Sequence, residues 1–263
     1  MHKGACIIAS NSTASDGSVF DYIGLAQRSA SLIRKHLKIP VAILTTSLNG
    51  IEGFDHVVRL PESKSSNRII NHNNSIITFP WDNDHRIDIL DFSPFDRTLL
   101  LDADYLVLSD QLLPVLECDL PFMITDDVID ITGRNSFNNM KLMPDKTFMQ
   151  RWATVMTFDN RARVVFDAAR MVRKNYAYYA TMFNFSSSLF RNDFVFSIAT
   201  HLVGIGRFPS KLFQLPINAS VESCNGNGLR IKYDNYIMRW NHDVHVLNKD
   251  IVINPEILDG LDA

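Results

Sequence analysis

Two acids set one residue apart inside an apolar run are the feature of this sequence most able to do chemistry. The run is TLLLDADYLVL, residues 98–108, and the acids are Asp102 and Asp104. Leu99, Leu100 and Leu101 predict a buried strand, with the carboxylates placed where it leaves the sheet. Side chains alternate along a strand, so residues i and i+2 point the same way and both carboxylates converge on one ligand. Two anions that close repel each other unless a cation or hydrogen-bond donors stand between them. The surroundings lean the same way, because residues 79–130 hold 13 Asp or Glu against two Arg. All-oxygen ligation by carboxylates suits Mg²⁺ or Mn²⁺, and such a site completes its shell with phosphate oxygens and water. The competing expectation is a strand-end turn, solvated or capping the next helix, and the apolar residues on both sides weigh against it.

Near the end of the chain, WNHDVHVLNK (240–249) offers a second group of ligands. His242 and His245 are candidate metal ligands, since a neutral imidazole suits Mn²⁺. Lys249 is a candidate phosphate binder, acting as a point charge. A late strand carrying them would close a site that the two aspartates open.

The elements that must position these groups follow from hydrophobic periodicity. Residues 5–9 predict a first buried strand, 20–37 an amphipathic helix, VAILTT (41–46) a second strand and HVVRL (56–60) a third. A strand–helix–strand opening implies a parallel sheet wrapped by helices, and ligands in such sheets bind beyond the carboxyl ends of the strands. PFMITDD (121–127) predicts another strand, ending in Asp126 and Asp127. Residues 130–150 read as a long loop, 161–181 as helical, MFNFSSSLF (182–190) as a strand and 193–202 as a helix. CNGNGL supplies an Asn-Gly hairpin turn. No repeat or linker divides residues 1–263, so a single α/β domain is expected.

Composition sets outer bounds. A formal charge of −3 argues against a globally basic nucleic-acid binder. Cys6, Cys118 and Cys224 are odd in number and far apart, which fits a reducing compartment and neither a disulfide framework nor a zinc site. With no apolar run of membrane-spanning length, a soluble cytoplasmic protein is expected.

SPFDRTLLLDADYLVLSDQL resembles the DxD segment of nucleotide-sugar glycosyltransferases of the GT-A fold, particularly the glycogenin-like family 8 and its bacterial and phage relatives. YIGLAQRSASLIRKHLKIPVAILTT is similar to their first helix and second strand, FNFSSSLFRND to the strand and turn that face the acceptor, and HVLNK to the late His and Lys at metal and diphosphate. The family's HxxGxxK pattern is not kept: Asn248 stands third after His245 and Lys249 follows at once. The resemblance implies a GT-A-like, Rossmann-type mixed sheet flanked by helices. Asp104 would bind the metal, Asp102 the metal, ribose or donor sugar, and His245 would be the third protein ligand. Lys249 would hold the diphosphate, Ser10 and Asn11 would face the nucleoside, and Arg86 would reach the diphosphate or base. Arg86 has an equal alternative, a surface ion pair with Asp82, Asp88 or Asp91. The implied donor is a UDP-sugar, UDP-glucose among them, with Mn²⁺ or Mg²⁺.

Sugar transfer from such a donor needs stabilisation of the departing diphosphate and a group to receive or direct the acceptor's proton. Asp126, Asp127 and Asp193 are the candidates for that base or for positioning the sugar. A solvated turn is the alternative for Asp126 and Asp127, and a helix N-cap for Asp193. The acceptor stays open between a glycan and a hydroxymethylated pyrimidine in phage DNA. Residues 151–174 carry six Arg or Lys against two Asp, which is either a phosphate-tracking face or a solvated helix face. The rival enzyme class is a nucleotidyltransferase, disfavoured because SNSTASDGS (10–18) has one Gly and no Lys or Arg. The rival outside enzymes is a nucleic-acid or carbohydrate-binding module, which has no need of the acid pair.

Overall fold

The computed structural model describes residues 1–61, 66–72, 75–81, 83–132, 142–204, 211–216, 218–225, 228–248 and 250–261. Lys249, Asp82 and the Asn-rich stretch 133–140 lie outside them.

The chain opens with β1 (Lys3–Ile8), a short hairpin of β2 (Ser12–Thr13) and β3 (Val19–Phe20), and helix α1 (Tyr22–Leu37). The Asp21 carboxylate starts α1 by accepting from the Gly24 amide at 2.9 Å, and Lys38 ends it in the left-handed region at φ 56°. Next come β4 (Val41–Thr45), β5 (His56–Arg59), the hairpin of β6 (Ser66–His72) and β7 (Ser75–Trp81), and a 3-10 turn (Asn83–Asp88) that runs into α2 (Ile89–Phe92). The middle of the chain forms β8 (Arg97–Leu101), β9 (Tyr105–Leu106), α3 (Leu113–Glu117), β10 (Phe122–Thr125), β11 (Val128–Asp130) and β12 (Trp152–Asp159). Helices α4 (Arg163–Lys174), α5 (Tyr176–Met182) and α6 (Asn192–Val203) follow. The chain then forms β13 (Leu212–Leu215), β14 (Ser220–Asn225), β15 (Gly228–Tyr233), β16 (Tyr236–Trp240), β17 (Val244–Val246) and α7 (Asp250–Ile253).

Six strands form the central sheet in the order β10-β12-β8-β1-β4-β5. The β8-β1-β4-β5 portion is parallel, and β12 runs antiparallel to both β8 and β10. Strand alternation sorts the apolar side chains into two cores. Ala5, Ile7, Leu99 and Leu101 meet the buried face of α1, while Cys6, Leu100 and Met156 meet Val165, Phe166 and Phe196 from α4 and α6. The fold is therefore a mixed α/β sheet flanked by helices, as expected. A second sheet, β11-β13-β17-β9, and a three-stranded meander, β14-β15-β16, carry the later part of the chain.

Two expectations need correction. Residues 183–190 contain no strand: α5 ends at Met182, and Asn184 turns the chain at φ 54°. The alternating phenylalanines there are packing anchors, with Phe185 on Phe194 at 4.5 Å and Phe190 on Tyr176 at 4.9 Å. Residues 152–159, read from sequence only as part of a basic stretch, form β12, and every one of them is buried. A continuous seven-residue apolar and β-branched run, 152–158, is the signal for such a doubly covered strand.

Candidate functional site

The two-acid segment is not one strand. β8 stops at Leu101, the chain turns with the Tyr105 amide donating to the Asp102 carbonyl at 3.0 Å, and β9 joins the second sheet. The carboxylates thus converge because a turn folds them together, and strand alternation is not the cause. The Asp102 amide donates to the Thr154 carbonyl at 3.1 Å, which fixes the first half of the turn on β12. The Val246 amide donates to the Asp104 carbonyl at 2.9 Å, which fixes the second half on β17.

That second sheet brings in His245. β17 pairs antiparallel with β9, setting His245 opposite Tyr105. Its Nε2 lies 3.2 Å from Asp104 Oδ1 and 3.9 Å from Asp102 Oδ2. One ligand atom from each of Asp102, Asp104 and His245 lies within 4.8 Å of the others. Asp104 and His245 are buried and the Asp102 side chain is 20% exposed, so the cluster opens on the Asp102 side. His242 does not join it. That ring is exposed and packs near Trp240 and Phe213, at 5.6 and 6.4 Å between centroids.

Arg86 is held inside, 1% exposed, with one guanidinium nitrogen on Asp102 Oδ1 and another on the Ala153 carbonyl. Its surface alternative is overturned for Asp88 and Asp91, which pair with α4 instead. Arg170 reaches Asp88 at 2.9 Å and also Asp91, Arg173 reaches Asp88 at 2.7 Å, and Arg163 reaches Asp91 at 2.9 Å. The basic face of α4 is thus largely neutralised by acids from the segment just before β8.

The remaining candidates take definite places. The Asp193 carboxylate accepts from the Ala153 amide at 2.9 Å and faces Arg191 at 3.2 Å. It makes no side-chain cap on α6, so it ties that helix to β12. Asp126, the residue after β10, is buried against Arg151. The neighbouring Asp127 is half-buried, and its carbonyl accepts from the Leu212 amide at 2.8 Å. The Ser10 hydroxyl accepts from the Thr46 amide at 3.1 Å, while Asn11 Oδ1 accepts from the Ile23 amide at 2.8 Å, inside the first turn of α1. Ser10 and Asn11 therefore brace the loop after β1.

Asp243 and Arg151 were not singled out from sequence. Asp243 is fully buried and takes three donors on Oδ1: the Leu108 and Ser109 amides at 2.8 Å each and the Ser109 hydroxyl at 2.9 Å. Burial pushes its carboxyl up to about 6, against these hydrogen bonds. It pins the segment after β9 to the start of β17, and so sets His245 beside Asp104. A lone acid between two histidines in WNHDVHV is the only sequence trace of that role.

No family model matches the chain, and no curated protein matches it. Among solved structures, it resembles the glycosyltransferase GlyE of Streptococcus pneumoniae TIGR4, with 15% identity, a TM-score of 0.44, and 81% of this chain and 45% of GlyE covered. It also resembles the galactosyltransferase LgtC, solved with donor and acceptor sugar analogs, with 14% identity, a TM-score of 0.43, and 73% of this chain and 68% of LgtC covered. The chain spans less than half the length of GlyE.

Proposed function

We propose that this chain is a metal-dependent glycosyltransferase of the GT-A kind that takes a sugar from a nucleoside diphosphate, with a UDP-sugar as donor. What carries this is the convergence of Asp102, Asp104 and His245 at the end of β8, next to the parallel strands, where ligands of α/β sheets bind. The donor set fits the cation. Two carboxylates and one imidazole suit Mn²⁺ or Mg²⁺, and three protein ligands leave positions for phosphate oxygens. A divalent cation held there would offset the charge that gathers on a leaving diphosphate.

The chain's own residues divide the remaining work. Arg86 fixes Asp102 through one oxygen and leaves Oδ2 turned toward His245. Lys249, four residues after His245, is assigned to the diphosphate. Asp126, Asp127 and Asp193 are assigned to the sugar and the acceptor hydroxyl, with Arg151 orienting Asp126 and the Ala153 amide orienting Asp193. Ser10 and Asn11 shape the loop on the nucleoside side. The α4 arginines are already engaged with Asp88, Asp91 and Asp167, so that helix gives no phosphate track, and a glycan hydroxyl is the acceptor put forward.

A thermal-shift series tests the assignment: UDP, UDP-glucose and UDP-galactose, each with Mn²⁺ and with EDTA. A donor at 100 times its Kd stabilises the fold by about 2.7 kcal/mol, or ~5–10 °C for a chain of this size. Asp104→Ala should melt near the wild type in EDTA and lose the Mn²⁺-dependent shift. A full shift in EDTA, or an undiminished one in Asp104→Ala, contradicts the proposal.

A further inference from the structure

On the face of the second sheet that carries His245, two more polar side chains stand in the same cross-strand row. β11, β13 and β17 are parallel neighbours, with Asp130 opposite Gln214 and Gln214 opposite His245. Paired residues on adjacent strands share a face, and neighbouring strands lie about 4.8 Å apart. Gln214 is 1% exposed, and neither its amide nitrogen nor its amide oxygen has a hydrogen-bond partner among the described residues. Asp130 is 2% exposed. Its Oδ1 accepts from the Thr132 amide and hydroxyl at 2.7 and 2.6 Å, and Oδ2 has no partner among the described residues. Buried polar groups are normally satisfied, and each that is not has a cost and asks for a reason.

The chemistry of the row supplies one. A carboxylate only accepts, an amide donates at one end and accepts at the other, and a neutral imidazole bound through Nε2 keeps its proton on Nδ1. Only one order of hydrogen bonds satisfies all three groups. Nε2 of His245 already faces the two carboxylates.

We infer that Gln214 and Asp130 are positioning residues for His245, forming a row in which Nδ1–H donates to Gln214 Oε1 and Gln214 Nε2–H donates to Asp130 Oδ2. The row fixes the imidazole tautomer and ring angle that a cation on Nε2 requires. This rests on the proposed cation site. Outer groups of this kind govern affinity, and losing one lowers metal binding by about 10–100-fold.

The test is Mn²⁺ titration calorimetry of the full chain. Gln214→Met keeps length and removes the amide, and should weaken Mn²⁺ by about 10–100-fold. Its melting temperature in EDTA should fall by about 2–10 °C, because the imidazole and Asp130 Oδ2 each lose a buried partner. Gln214→Glu retains an acceptor for the imidazole and should bind Mn²⁺ within about threefold of the wild type. Unchanged affinity in Gln214→Met, or equal losses in both variants, overturns the inference while leaving the cation site standing. Absence of Mn²⁺ binding by the wild type overturns both. Should Gln214→Met fail to fold, ¹⁵N NMR of the Mg²⁺-loaded wild type decides instead: a slowly exchanging, hydrogen-bonded Gln214 side-chain amide is expected, and a freely exchanging one refutes the row.

Discussion

Replacing Arg86 by methionine isolates the contact that holds Asp102. The substitution keeps most of the apolar stem, strips the guanidinium from a residue 1% exposed, and leaves both Asp102 Oδ1 and the Ala153 carbonyl without this donor. Breaking a fully buried pair costs about 3–5 kcal/mol. The Asp102 side chain keeps 20% of its surface open, so water recovers part of that. The expected loss is about 2–3 kcal/mol, or ~5–10 °C in melting temperature. Thermal and urea unfolding in EDTA of wild type, Arg86→Met, Asp102→Asn and the double variant give the coupling directly. The double variant should be no less stable than Arg86→Met, with a coupling of roughly 1.5–3 kcal/mol. Strict additivity, or a loss under about 0.5 kcal/mol in Arg86→Met, would refute the view that Arg86 orients Asp102 from inside the fold.

Other outcomes follow from the same geometry. Arg170→Ala takes one partner from each of Asp88, Asp91 and Asp167, with Arg173 still on Asp88 and Arg163 still on Asp91, and should lower stability by about 1 kcal/mol in low salt, less in high salt, as read by urea unfolding. Burial alone would raise the Asp88 carboxyl, but hydrogen bonds from Arg173 and Arg170 outweigh it and hold the group below its ordinary 3.8. The folded state therefore binds that proton less tightly than the unfolded chain. The resulting stability is full above the unfolded value and lost as pH falls through the depressed one, so Asp88→Asn should flatten the acid limb of a stability–pH curve below about pH 4. Burial pushes the Cys6 thiol up to about 12, so iodoacetamide at pH 8 should leave Cys6 unlabelled until the protein is unfolded.

How far the site could be read in advance depended on whether its parts are local. Three leucines before Asp102 and helical spacing across α1 identify β8 and α1 from short windows, and both stand where expected. The same windows cannot show that Asp102 and Asp104 straddle two sheets. That follows from β9 pairing with β17, more than a hundred residues later. Arg86 beside so many acids reads equally as a ligand contact or as a surface ion pair, and only the fold reveals that Asp88 and Asp91 are taken by α4 while Arg86 turns inward. β12 was hidden by its flanking arginines, although its apolar run was present in the sequence. FNFSSSLF misled in the opposite direction, since aromatic alternation there serves packing against Tyr176 and Phe194. Polar residues at inward strand positions, such as Gln214 and Asp130, gain meaning only once the register sets them beside His245.

The central claim is that one divalent cation joins a nucleoside diphosphate to Asp102, Asp104 and His245. Anomalous diffraction from crystals grown with Mn²⁺ and UDP tests it most directly. The predicted result is a single strong Mn²⁺ peak among those three side chains, bridged to the diphosphate oxygens. A peak elsewhere, or bound UDP with no metal between it and the two aspartates, would contradict it.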